Sequence, residues 1–330
     1  MYLQSLSEEV TLMKKETKIA LGIAGAAVGA GALYLGIGGA LCYGILSKRT
    51  CNQHPEELLQ APGNMHRYLH DENFRNADDW YNAINPDDTV LINEKNEKLL
   101  AKEILQDTPS HKWLIAVHGY TSRPRAMARQ AVHFYKNGYN CLMPCQRAHR
   151  NQEAKFTSMG YYERYDIINW INYIISADPE AEIVLLGISM GSATVMMVTG
   201  EALPKNVKCC IADCGFTSCY ELFKDSITVK TGLPEFPFLN AANAFTKIFN
   251  GWDFRDCSPI DAVSVSDTPT LFIHGDTDKV VPVWMAEALY ESCNADKEKL
   301  ILPDTGHDEA CAFFPERYWE AVDNFVAKHS

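Results

Sequence analysis

A serine hydroxyl attacks a carbonyl only when a base takes its proton, so the residues that matter first are a serine and what could activate it. Gly187-Ile188-Ser189-Met190-Gly191 follows the apolar run Glu182–Leu186 (EIVLL) and opens a stretch of helical character. A lone G-x-S-x-G says little. Between a strand and a helix it says more, because the hydroxyl must stand on a tight turn above a sheet, with Gly187 and Gly191 letting the backbones close around it. In that architecture the partners follow in the order serine, acid, histidine. Only His274, His307 and His329 come after Ser189. His329 is the penultimate residue, and His274 ends the run PTLFI with little room for an acid before it. His307, in Asp304-Thr305-Gly306-His307, follows the last expected strand and is the natural base. Asp278 is the first choice for the acid, Asp276 the second, and Asp213 at the end of the preceding strand a third. The carboxylate would fix the imidazole tautomer and stabilise the imidazolium. His118-Gly119-Tyr120 closes the run Trp113–Val117, so the amides of Tyr120 and Met190 are placed to form an oxyanion hole.

These residues need a sheet to hold them. Continuous apolar runs of strand length at 113–117 (WLIAV), 140–144, 182–186, 207–212, 268–273 and 299–302 alternate with helical patterns at 124–137, 161–176, 190–199, 283–292 and 309–328. Two further segments, 89–93 and 98–105, read as a leading hairpin. Alternating strands and helices predict an α/β fold, a mostly parallel eight-stranded sheet with helices on both faces. Residues 215–264 break the alternation with an aromatic-rich stretch too long for a loop, expected to be a small helical cap. Asp276-Thr277-Asp278 is not a calcium loop, because Val280 and Val281 stand where acidic residues and glycine would be needed. No C-x-x-C occurs, so a zinc site has no support, and no cofactor of any kind is implied.

The four motifs HGY, GISMGS, HGDTDKVVP and GHDEA resemble those of the α/β-hydrolase superfamily. Within it the chain is similar to the membrane-anchored bacterial serine hydrolases of the Bem46 type, described as serine aminopeptidase-like. The resemblance covers about residues 88–330. It implies that the acid is the second aspartate of HGDTD, Asp278, and that Gly160, Glu163, Asp166 and Trp170 belong to a structural helix pattern. One loop departs from the family. Where D-x-R-x-H-G-x-S is usual, this chain has Cys145-Gln146-Arg147-Ala148-His149-Arg150-Asn151-Gln152, which keeps only the arginine and the histidine.

The first fifty residues are of another kind. No charged residue occurs in the 28 positions from Ile19 to Leu46, and about 20 apolar residues cross a bilayer core. Lys14, Lys15 and Lys18 precede the run, and Lys48 and Arg49 follow it. The run is too long for the core of a cleaved signal peptide, so an uncleaved anchor over about 19–46 is expected, with 51–87 as a helical linker. Gly22, Gly25 and Gly29 could form a helix-pairing face. The basic residues lean toward an extracytoplasmic catalytic domain. Eleven cysteines without regular spacing lean the other way, toward reducing surroundings. The net charge of −12 argues against a nucleic-acid partner.

The expected activity is hydrolysis of an ester-like acyl bond in a small molecule carrying an apolar group, through an acyl-enzyme. An aminopeptidase-type peptidase is the alternative, although no cap carboxylate among Glu221, Asp225 and Glu235 stands out to hold a substrate amine. A non-catalytic scaffold is the third reading, weakened by the survival of every triad member.

Overall fold

The structure, a computed structural model, describes residues 27–52, 72–230 and 232–330. The first part of the expected anchor, residues 19–26, and most of the expected linker, residues 53–71, lie outside the described residues. Eight strands form one sheet: β1 Asp87–Ile92, β2 Lys98–Ile104, β3 Lys112–Val117, β4 Asn140–Pro144, β5 Glu182–Ile188, β6 Val207–Asp213, β7 Thr270–Gly275 and β8 Lys297–Leu302. Their spatial order is β1-β2-β4-β3-β5-β6-β7-β8. β1 and β2 pair antiparallel, as does β2 with β4, and every other neighbour is parallel.

The continuous apolar runs are explained by burial on both faces of the sheet. In β3, Leu114 and Ala116 face one layer, while Trp113, Ile115 and Val117 face the other. The first layer contains α3 (Glu72–Ile84), α4 (Ala128–Lys136, entered by a 3-10 turn at Pro124–Met127) and the C-terminal α12 (Pro315–His329). The second is built on α5 (Glu163–Ala177) and α6 (Met190–Thr199). Trp170, Ile171 and Ile174 of α5 are buried there at helical spacing, so the Tyr161–Ser176 pattern reports a packed face. α9 (Pro259–Val265) and α10 (Trp284–Ser292) cover Ala212 and Phe272 farther along the sheet. The last helical stretch divides: α11 (Ala310–Phe313) precedes α12, and Pro315 begins the second helix.

Between β6 and α9 the aromatic-rich segment folds as α7 (Cys219–Asp225) and α8 (Glu235–Phe245), each continued by a π-helical turn, Ser226–Lys230 and Thr246–Asn250. It buries Phe216, Tyr220, Phe223, Trp252 and Phe254 against Met190 and Met159. At the N-terminus, α1 (Ala27–Leu46) is long and apolar enough to cross a membrane, and only 11% of its most apolar eighteen-residue stretch is buried. A helix near an N-terminus with this composition is weak support for a span. α2 (Lys48–Cys51) follows directly, and Asn52 closes it. Gly29, Gly31 and Gly36 meet nothing, whereas Gly38 lies directly against the cap.

Candidate active site

The turn between β5 and α6 is held in a conformation that few residues tolerate. Ser189 has φ 56° and ψ −117°, a strained backbone that costs on the order of 1–3 kcal/mol. The surroundings enforce it. A Cβ on Gly187 would lie 2.2 Å from the Gly191 carbonyl oxygen, and one on Gly191 would lie 2.0 Å from that of Val117. The Ser189 amide donates to the Asp213 carbonyl at 2.9 Å, tying the turn to the end of β6. The result is a hydroxyl raised above the carboxyl edge of the sheet.

Three loops meet that hydroxyl. His307, after β8, approaches Ser189 Oγ with Nε2 at 2.9 Å, and its Nδ1 lies 2.7 Å from Asp278 Oδ2. Ionised Asp278 can only accept, so Nδ1 carries the proton and Nε2 is free to receive the serine's. Asp278, after β7, is itself fixed: Oδ1 accepts from the amides of Val280 at 2.7 Å and Val281 at 2.9 Å. Burial would raise its pKa, but hydrogen bonds from His274, His307 and the Val281 amide hold it well below the usual carboxylate range. Burial likewise works against a charged His307, and the bond to Asp278 and its negative charge overcome this and raise the His307 pKa. The third loop follows β3. An ideal Cβ on Gly119 would sit 3.3 Å from Ser189 Cβ and 3.9 Å from Oγ, so the backbone at Gly119 lies beside the hydroxyl. The Met190 amide opens α6 itself.

The other expected residues stand apart. Asp276 is exposed, and its amide is spent on the Leu302 carbonyl. Asp213 is buried beneath the site; burial and the neighbouring Asp308 carboxylate push its pKa up to about 7. His274 is buried, with Nε2 2.9 Å from the Val281 carbonyl, so it braces the Asp278 loop. Arg125 is paired with Asp78 of α3 through two contacts of 2.5 Å.

Sequence reasoning missed the support beneath the Tyr120 turn. His118 is fully buried and burial lowers its pKa to about 3. Its Nδ1 donates to the Gly119 carbonyl at 2.8 Å, and its Nε2 accepts from the Gln146 amide at 3.1 Å. His149 repeats the pattern, with Nδ1 toward the Arg147 carbonyl at 2.8 Å and Nε2 accepting from the Thr121 amide at 3.1 Å. The two rings meet edge to face at 5.0 Å. The loop that departs from the family pattern therefore buttresses the Tyr120 turn. Arg147 points away from Ser189, to Asp166 at 2.7 Å and Glu97 at 2.9 Å. Glu163 is buried and accepts from Thr157 and from the Ser158 and Gly160 amides. The 30 residues between His118 and His149 hide this pairing from any local pattern.

Among known proteins, the family model of the prolyl oligopeptidase family matches residues 127–325. The chain belongs to the prolyl oligopeptidase family. This member is 28% identical over 221 residues to the uncharacterised protein YqkD of Bacillus subtilis, a match covering 67% of this chain and 72% of that one. Against the esterase Pf2001 of Pyrococcus furiosus it aligns with a TM-score of 0.61 and 25% identity, over 76% of this chain and 95% of the other. An acylaminoacyl peptidase of Pyrococcus horikoshii shares the fold at a TM-score of 0.55 and 16% identity, over 74% of this chain and 41% of the other. The α/β-hydrolase superfamily expected from the motifs is thus the one found. The proteins it resembles include an esterase and a peptidase, and hydrolytic chemistry is common to both.

Proposed function

We propose that the protein is a serine hydrolase of ester-like acyl bonds, with Ser189 as nucleophile, His307 as base and Asp278 as the acid that orients it. The observation carrying this reading is the unbroken hydrogen-bonded chain from Ser189 Oγ through His307 to Asp278, mounted on a strained turn. His307 Nε2 takes the proton as Ser189 Oγ bonds to the acyl carbon. The carbonyl oxygen becomes an oxyanion facing the Tyr120 and Met190 amides. Collapse breaks the bond to the leaving alkoxide, which receives the proton from His307. Water then attacks the acyl-enzyme, gives its proton to His307, and the acid leaves as Ser189 is reprotonated.

The 25% identity to an esterase over three quarters of the chain favours an ester. The apolar cap over Met190 favours an acyl or aryl group of some size. The family's peptidase members favour the second reading, cleavage of an aminoacyl amide. Against it, cap carboxylate Glu235 accepts from the Tyr220 hydroxyl and Glu221 pairs with Lys224 at 3.8 Å. In this proposal the catalytic unit runs from about 88 to 330, with its cap at about 215–264. α1 holds it at a membrane, as in the Bem46-type enzymes. Fluorophosphonate labelling lost in Ser189→Ala tests the chemistry. A panel of p-nitrophenyl esters and aminoacyl anilides tests the bond, and preference for the anilides would overturn the ester reading.

A further inference from the structure

The carboxyl-terminal half of α1 is fastened to the catalytic unit along its length. Gly38 packs so closely on α8 that a Cβ there would lie 2.0 Å from the Ala241 carbonyl oxygen, and Gly39 lies against the Phe245 ring. Cys42 Sγ donates to the Ala242 carbonyl at 3.2 Å and lies 3.0 Å from Thr246 Oγ1. The Leu46 carbonyl accepts from the Thr157 amide at 2.9 Å, and the Lys48 amide donates to the Lys155 carbonyl at 2.7 Å. Tyr120, whose amide belongs to the proposed oxyanion hole, donates its hydroxyl to the Ile45 carbonyl. The contacts advance in step, Tyr34 with Phe236, Gly38 with Ala241, Cys42 with Thr246, so α1 and α8 run side by side and parallel.

The cap beside α1 leaves large apolar side chains exposed among the described residues. Val229 is 73% exposed, Phe236 70%, Ile248 and Phe249 61% each, and Leu233 44%. They are contiguous with α1: the Phe236 ring lies 6.4 Å from that of Tyr34, and Phe249 lies 4.6 Å from Phe245, the ring against Gly39. Solvent-facing apolar residues usually occur singly, and Val229, Leu233 and Phe236, grouped where α8 begins and Tyr34 passes, mark an interaction surface, whereas Ile248 and Phe249 lie at the far end of that helix. Length says what covers them. The uncharged run has 28 residues, and about 20 suffice to cross the hydrocarbon, leaving about eight over. The residues that the cap holds, 38–46, match that surplus. The bilayer boundary then falls near Ile37, about one turn from Tyr34, an aromatic suited to the interface that lies beside Phe236.

We propose that this cap face enters the bilayer surface together with α1, and that the Ser189 site draws its substrate, a lipid-borne acyl ester, from the membrane. The seam between α1 and the cap is lined by Leu41, Ile45, Phe223, Leu239 and Phe254, and the Tyr120–Ile45 hydrogen bond ties this part of α1 to the proposed oxyanion turn. The choice of substrate rests on the serine-hydrolase reading; the immersion of the cap does not.

The test uses the full chain in phosphatidylcholine vesicles. Phe236→Trp is compared with Ile92→Trp, an exposed position on β1. With lipids brominated near the headgroup, the emission added at 236 is quenched and that at 92 is not. Equal quenching at both sites, or none at 236, overturns the proposal. A blue-shifted emission at 236 that ignores the lipids would assign the face to a second copy of the chain and also overturn it. The triple variant Val229→Ser, Leu233→Ser, Phe236→Ser lowers the rate on a vesicle-borne long-chain ester by about tenfold or more. Its rate on a soluble butyrate ester and its fluorophosphonate labelling stay at the parent's level. An unchanged vesicle rate overturns the substrate half. Absent labelling in the parent itself would instead sink the hydrolase reading and leave the quenching result to decide immersion.

Discussion

His118 closes β3 and His307 follows β8, both at the carboxyl edge of the sheet, and they meet opposite surroundings. His118 is sealed among neutral partners, donating to one carbonyl and accepting from one amide, and burial drives its pKa down to about 3. His307 has a buried carboxylate on one nitrogen and a hydroxyl on the other, and its pKa is raised. Residue type and strand-end position are shared. What separates a brace from the proposed base is whether a charge sits behind the ring and whether its second nitrogen meets a group that can react. The same contrast separates Asp278, held ionised by imidazoles and amides, from Asp213, held toward neutrality by burial.

Removing the hydroxyl breaks the comparison most severely. Ser189→Ala should lower kcat/KM by about 10⁴-fold or more and abolish fluorophosphonate labelling, with the melting temperature little changed. Asp278→Asn should lower kcat by about 10³–10⁴-fold by favouring the wrong His307 tautomer, while exposed Asp276→Asn stays within about twofold. Equal losses in the two variants would show that the choice of Asp278 is mistaken. His118→Ala leaves the Gln146 amide unpaired and should cost about 1–3 kcal/mol in denaturant unfolding. Its loss of activity should be far smaller than that of Asp278→Asn.

Titration sharpens the same contrast. Only neutral His307 can accept the serine proton, so kcat/KM should fall with decreasing pH, with its midpoint above the ordinary histidine value of 6.5. His118 is uncharged throughout that range and should add no limb to the profile. The smallest effect belongs to Asp213. A carboxyl whose pKa is raised in the fold loses stability as pH climbs from its unfolded value of 3.8 to about 7. Asp213→Asn should therefore raise the melting temperature above pH 7 relative to the parent and change it little near pH 4. A uniform shift at all pH values would rule out this account.

The strands were legible because they are buried on both faces, which forces continuous apolar runs such as 113–117 and 182–186. Ser189, His307 and the glycines around the turn were legible because the chemistry fixes their order and the turn admits little else. The cap was visible only as aromatic excess. Its helices, and the apolar side chains they leave exposed, follow from where β6 ends and where α1 passes. The glycines near the N-terminus illustrate the limit: of Gly22, Gly25 and Gly29, which stood out by spacing, the first two lie outside the described residues and Gly29 meets nothing, while Gly38 makes a close approach because α8 passes there.

By itself, then, the sequence determined the layered α/β order, the chain order of Ser189 and His307 at strand ends, and an apolar N-terminal helix. These are properties of local pattern and chain order. Which of three aspartates meets His307, what the loop at 145–152 supports, and which side of α1 is taken by the cap were decided only by the tertiary structure. Each depends on groups distant in the chain competing for the same few ångströms, and no spacing rule can express that competition.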